Sequence, residues 1–292
     1  MKKIIIILSS IIVVIFIILM VFLFNTNSKD KDKDIDNVKD NESTEKVKEK
    51  EDNEFSKLSY YKEENLDRYK SYETNNPNLS IEDIVTKVNL NLDKEIYTDT
   101  RPSTNLNTNY LLVNKFNYLD SNYIPENLEL LDNSYAKSGI YLVKEAKDNI
   151  ERLISDAKND GMNIRVISAY RSYSYQENLY NNYVKNDGVE NADTYSARPG
   201  YSEHQTGLVV DITRAFDDFN NFENTNEYNW MLENAHNYGF ILRYPKDKED
   251  ITTYSFEAWH YRYVGVELAQ KIKASNLTFD EYYVRYLESD NN

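Results

Sequence analysis

The sequence predicts an α+β domain carried behind an apolar N-terminal span and a charged linker. Three observations predict it. Helix-like and strand-like periodicities mix irregularly after residue 55, with no succession of βαβ units and no internal repeat. An uncharged run fills residues 4–24, and a stretch dominated by charged side chains separates it from the first periodic segment. The 292-residue length is ample for a well-buried core.

Composition narrows the chemistry. A formal charge of −15 argues against nucleic acid as a partner, because clustered Lys and Arg are what phosphates demand. The absence of cysteine excludes disulfides, Cys-ligated zinc, iron–sulfur clusters and a cysteine nucleophile. Three histidines are present, His204, His236 and His260, so any histidine chemistry draws on those three.

The first element is the run from Ile4 to Phe24, long enough as a helix to span about 30 Å of hydrocarbon. Lys2 and Lys3 precede it, which orients the N-terminus to the cytoplasm and the rest outward. A cleaved signal peptide would have an apolar region of about 7–15 residues and a small-residue cleavage site. Here the run is longer and Asn25-Thr26-Asn27-Ser28 is a poor site, so an uncleaved single-pass anchor over residues 1–25 is expected, with secretion as the alternative. Residues 26–55 read as a disordered linker, because Lys, Asp and Glu dominate and apolar side chains are scarce. Residues 56–104 read as a helical N-terminal segment and 105–288 as the main domain.

Within these, Ser80 is a candidate N-cap with Asp83 three positions on, and Ile81, Ile84, Val85 and Val88 mark one helical face. Tyr110 to Asn114 reads as a strand. Val143, Ala146, Ile150, Leu153, Ile154 and Ala157 predict a long helix closed by Gly161, followed by a strand over Ile164 to Tyr170. Ser174 and Glu177 predict a capping box for a helix carrying Leu179, Tyr180, Tyr183 and Val184. Leu208 to Ile212 is an apolar run that encloses Asp211 and reads as a buried strand. The last elements are a helix from Glu227 to Tyr238, ended by Gly239, and a strand from Phe240 to Tyr244.

Two segments concentrate chemistry: Ala197 to Asp211, which includes Ser202-Glu203-His204, and Glu257 to Gly265, which includes His260. Zinc takes a few nitrogen, sulfur or carboxylate ligands, and a catalytic zinc keeps one position open. Without cysteine, two histidines and a carboxylate are what this chain offers. A lone aspartate in an apolar strand needs a partner, and a metal is one that removes the burial penalty. Glu257 and His260 are three apart and share a face on a helical turn, so that one can bind metal while the other reaches water. A histidine near an aspartate is also a common structural pair, and His236 matches no ligand pattern. Arg198 and Arg243 fit site anchors and plain ion pairs equally, and Trp259 fits cleft lining or packing.

Ser-x-His followed seven residues later by Asp, then a distant Glu-x-x-His, resembles the zinc D-alanyl-D-alanine carboxypeptidases of the vancomycin-resistance Y type. The resemblance extends upstream to Ser168-Ala169-Tyr170-Arg171-Ser172-Tyr173 with Gln176, and downstream through Gly239 to Pro245 and Trp259 to Gly265. It covers residues 105 to 270. It implies a small antiparallel sheet flanked by helices and carrying a zinc site. It implies His204, Asp211 and His260 as zinc ligands, Glu257 as general base, Arg171 as the group that steadies the oxyanion, and Ser202 and Gln176 as substrate contacts. Ala258 stands where that family usually has Pro, and no ligand or base position is altered. The implied activity is removal of the terminal D-alanine from peptidoglycan stem peptides by a membrane-held, wall-facing enzyme. L,D-carboxypeptidases acting on tetrapeptide stems share the motifs, and a non-catalytic wall-binding module would have lost a ligand or the base.

Overall fold

The computed structural model describes residues 53–215 and 217–288. The expected membrane span over 4–24 and most of the expected linker lie outside the described residues. Among the described residues, no helix is long and apolar enough to cross a membrane. The linker's expected end needs correcting: the Asn53 side chain accepts from the Phe55 N–H, caps a 3-10 turn at Glu54–Lys57, and Phe55 is buried.

Helix α1 (Leu66–Asn75) precedes α2 (Ile81–Asn89), whose N-cap is Ser80, with its hydroxyl accepting from the Asp83 N–H. Ile84, Val85 and Val88 pack against Phe55, Tyr60 and Tyr69. The helical reading of 56–104 holds only to Asn89. Asn91, Tyr97 and Asp99 take positive φ, which turns the chain out of any helix. Nor does a boundary fall at 104. Leu90 packs in one cluster with Leu112, Ile241, Leu268 and Phe279, so the two segments share a core.

Of the expected strand at 110–114, Tyr110 is exposed in a turn, and residues 111–114 are buried with no strand beside them among the described residues, only a single bridge from Asn114 to Asn117. Side chains take the place of a neighbouring strand. Ser103 Oγ donates to the Leu112 carbonyl at 2.7 Å and Arg262 Nη2 to the Leu111 carbonyl at 2.8 Å.

Helix α3 (Lys144–Asn159) buries Ala146, Ile150, Leu153, Ile154 and Ala157, the face its spacing predicts. These side chains pack on one face of a four-stranded antiparallel sheet formed by β1 (Ile164–Ser168), β2 (Val209–Arg214), β3 (Phe240–Leu242) and β4 (His260–Tyr263), in the spatial order β1-β2-β4-β3. Val166, Val210, Ile212, Phe240, Tyr261 and Tyr263 supply the sheet's half of that core. Strand side chains alternate, so Asp211, His260 and Arg262 fall on the opposite face. β4 was not expected from the sequence, and it pairs with both β2 and β3.

Helix α4 (Tyr173–Asp187) starts at a different cap from the one expected. Ser172, not Ser174, accepts from a backbone N–H, that of Tyr175, at 3.2 Å. A cap three residues before its donor suits Ser172 with Tyr175, and Ser174 lies inside the first turn. Helix α5 (Val189–Tyr195) follows directly. Helix α6 (Asn226–Asn234) passes into a 3-10 turn that ends at Gly239, which has φ +84°. A Cβ there would lie 2.5 Å from the Tyr263 ring, so this corner requires glycine. Helix α7 (Val266–Ser275), the short α8 (Phe279–Tyr282), held by a Thr278–Glu281 capping box, and a π-helical turn at Tyr283–Leu287 complete the chain's described part.

Candidate active site

Strand register assembles the site. In the β2–β4 ladder, Asp211 lies directly opposite His260, which places both side chains on one face as neighbours. In the β1–β2 ladder, Val166 pairs with Ile212 and Ser168 with Asp211, so Ile167 is an extra residue and the ladder bulges. The bulge re-aims Ser168 toward Asp211, and the chain then turns to bring Arg171 alongside. His204 comes from the 3-10 turn Glu203–Thr206 that precedes β2.

His204, Asp211 and His260 are buried, and one ligand-type atom from each lies within 4.8 Å of the others. His204 Nε2 is 3.4 Å from Asp211 Oδ2, and His260 Nδ1 is 3.4 Å from Asp211 Oδ1. Asp211 Oδ1 is buried without a hydrogen-bond partner. Glu257 Oε2 approaches His260 Nδ1 at 3.3 Å. The helical turn expected for that pair is corrected: Glu257 lies in a turn leading into β4, closed by the His260 N–H to the Glu257 carbonyl at 3.4 Å. A three-residue separation across such a turn still brings the two side chains together.

Arg171 Nη2 donates to Asp211 Oδ2 at 2.6 Å, and its Nε and Nη2 donate to Ser168 Oγ at 3.0 and 2.8 Å. Burial alone would raise the Asp211 carboxyl, but His204 and then Arg171 hold it well below the usual carboxylate range. Burial raises Glu257 from its ordinary value. Burial would lower His260, but Asp211, Glu203 and Glu257 together raise it to about 10. Three carboxylates thus surround one imidazole, and the site calls for a cation. Two imidazole nitrogens and an orphaned carboxylate oxygen are a donor set that zinc accepts.

These residues line a cavity of about 500 Å³, which also takes in Ser202, Gln176, Tyr244, Tyr254 and Trp259. Gln176 is anchored by its Nε2, which donates to the Ala197 carbonyl at 2.8 Å, while its Oε1 is buried without a partner. Trp259 lines the cleft and also packs edge-on against Phe219, with ring centroids 4.8 Å apart. All seven residues singled out from the sequence therefore meet here. His236 lines a different cavity, near Met231 and Lys273. Arg198 is an ion-pair residue, bonded to Asp193 at 2.8 Å.

The sequence reading missed Glu203, which has a fully buried side chain beneath His260. Its Oε1 accepts from Arg243 Nε at 2.9 Å and Arg262 Nη1 at 3.1 Å. Arg243 also donates to Asp280 Oδ2 at 2.5 Å. Burial alone would raise Glu203, but Arg243 and Arg262 lower it to about 2. A charged residue beside a ligand in the motif was the available signal, and its arginine partners are distant in the chain.

Residues 139–266 match the family model described as VanY, D-alanyl-D-alanine carboxypeptidase. The chain is 41% identical over 179 residues to YodJ of Bacillus subtilis, a match covering 59% of this chain and 66% of YodJ, just under two thirds of its length. It is 36% identical over 177 residues to VanXYC of Enterococcus gallinarum, a bifunctional D-Ala-D-Ala dipeptidase and carboxypeptidase, covering 59% of this chain and 92% of that protein. Among solved structures, the LdcB LD-carboxypeptidase superposes with a TM-score of 0.60 at 38% identity, covering 66% of this chain and 92% of LdcB. VanYB in complex with D-alanine-D-alanine gives 0.52 at 38% identity, covering 60% and 96%. A VanY mutant in complex with Zn(II) gives the same score and identity, covering 60% and 98%.

Proposed function

The chain belongs to the VanY family of D-alanyl-D-alanine carboxypeptidases, and on that premise we propose that it removes the terminal D-alanine from peptidoglycan stem peptides with the help of zinc. One observation carries the reading: His204, Asp211 and His260 converge within 4.8 Å and leave Asp211 Oδ1 buried and unpartnered, with Glu257 beside them.

His204, Asp211 and His260 would hold the ion. Bound there, zinc supplies Lewis acidity that acidifies water and draws charge from a carbonyl. Glu257 acts as general base at its carboxylate oxygen: it takes the proton of the attacking water and passes it to the leaving amine. Its buried position favours holding that proton between the two transfers. Arg171 is fixed by Asp211 and Ser168 through Nε and Nη2, which leaves Nη1 to meet charge that develops on the scissile carbonyl. Ser202 and Gln176 line the same cleft and orient the peptide, Gln176 being held in place by its donation to the Ala197 carbonyl.

The D,D reading is supported by the family model and by the likeness to VanYB with D-alanine-D-alanine. A second reading, L,D-carboxypeptidase action on tetrapeptide stems, is favoured by the LdcB likeness at TM-score 0.60. The test is digestion of pentapeptide and tetrapeptide stems by the zinc-loaded protein, followed by mass spectrometry. Loss of one D-alanine from the pentapeptide supports the first reading, and loss from the tetrapeptide alone supports the second. Release from neither substrate sinks both.

A further inference from the structure

Two buried polar atoms face each other behind the site with no other partner. His260 Nε2 and Glu203 Oε2 are 3.8 Å apart, and neither makes a hydrogen bond. The other Glu203 oxygen is occupied by Arg243 and Arg262, so Oε2 is the one left to the imidazole. On the far side of the ring, His260 Nδ1 faces Asp211 and Glu257 at 3.4 and 3.3 Å.

His204 offers a contrast. Its Nδ1 lies 2.6 Å from the Ala169 carbonyl oxygen, a pure acceptor, so Nδ1 carries the proton and Nε2 is left as the ligand atom. His260 has the reverse arrangement, with Nε2 toward an acceptor and Nδ1 toward the cluster. The ring is confined between the two, with Tyr244 packed against it at 4.7 Å between centroids.

We propose that Glu203 is a positioning residue for the metal: it holds His260 as the Nε2–H tautomer and so aims the Nδ1 lone pair at the ion. The proposal rests on the zinc reading above. A carboxylate that accepts from the second nitrogen of a ligating imidazole fixes the ring's orientation and raises its basicity. Here the carboxylate is itself held by two guanidiniums whose side chains have no exposed surface. Asp280, on α8, balances Arg243 at 2.5 Å. The support for His260 therefore runs into the C-terminal helix, beyond residues 139–266 that match the family model.

The competing role for Glu203 is simply to neutralise Arg243 and Arg262. Two measurements separate them. In the zinc-loaded full chain, long-range proton–nitrogen spectra of the three histidines should show His260 ligating through Nδ1 with its proton on Nε2. Zinc affinity, read by competition with a chromophoric chelator, should weaken by about 10- to 100-fold in Glu203→Gln. Glu203→Asp keeps the charge facing both arginines while drawing the carboxylate back from the ring. It should fold even where the Gln variant does not, and it should weaken zinc binding as well. Ligation of His260 through Nε2, or a zinc Kd within about twofold of the parent in the folded variant, overturns the proposal and leaves the zinc reading intact. A parent chain that binds no zinc overturns both.

Discussion

Glu257 reaches His260 Nδ1 at 3.3 Å yet lies outside the three-residue ligand cluster, so altering its acidic oxygen separates proton transfer from metal binding. Glu257→Gln is expected to retain zinc by elemental analysis and to lose turnover by at least about 100-fold, within the range general acid–base catalysis supplies. Near-parental turnover would remove Glu257 from the base role. Arg171 allows a finer distinction. If it meets charge that grows only in the transition state, Arg171→Ala should lower kcat more than it raises KM, by on the order of 100- to 1,000-fold. Arg171→Lys keeps the charge but not the planar fork, and should recover only part of the loss. A rise in KM at constant kcat would assign Arg171 to holding the substrate carboxylate instead. That these seven side chains meet in one cavity was legible in the sequence because they sit in two short motifs and one upstream match. Glu203 was not, because its meaning depends on Arg243 and Arg262, which lie 40 and 59 positions away.

The corner at Gly239 shows what an element boundary can demand. It joins the turn after α6 to β3 at φ +84°, and a Cβ would also sit 3.0 Å from the Gly265 carbonyl carbon. Gly239→Ala combines left-handed strain with overpacking against backbone, and should cost on the order of 2–4 kcal/mol. Urea unfolding should show a lowered midpoint at unchanged slope; a midpoint equal to the parent's would mean that the corner relaxes freely. Helix α3 and the cap of α2 were legible because apolar spacing and a serine N-cap are local signals. β4 was hidden for a physical reason. Its sequence His260-Tyr261-Arg262-Tyr263 puts a histidine and an arginine on a face that is buried only because Glu203 and backbone carbonyls receive them. The segment at 110–114 forms no strand for the converse reason: Leu111, Leu112 and Val113 are buried, but the Leu111 and Leu112 carbonyls are met by side chains.

At the scale of the molecule, an ion bound by three residues from the turn before β2, from β2 and from β4 stabilises only the folded chain. Chelating the zinc should therefore lower the thermal midpoint and re-addition should restore it. The effect corresponds to about 2.7 kcal/mol when free zinc exceeds Kd by 100-fold. A midpoint indifferent to chelator would argue against a site that joins these elements. For residues 4–24 we propose a membrane anchor, which predicts that the full chain sediments with membranes and that a chain lacking residues 1–24 does not. The pairing of Asp211 with His260 has one further consequence. A slip of one residue between β2 and β4 would turn His260 toward α3 and set Tyr261 beside Asp211. Such a misaligned sheet has lost a nitrogen donor and gains little from the ion. An ion held by His204, Asp211 and His260 would therefore discriminate between alternative threadings of the same strands: it would act as a proofreader, and its occupancy would report that the sheet has closed in the right alignment.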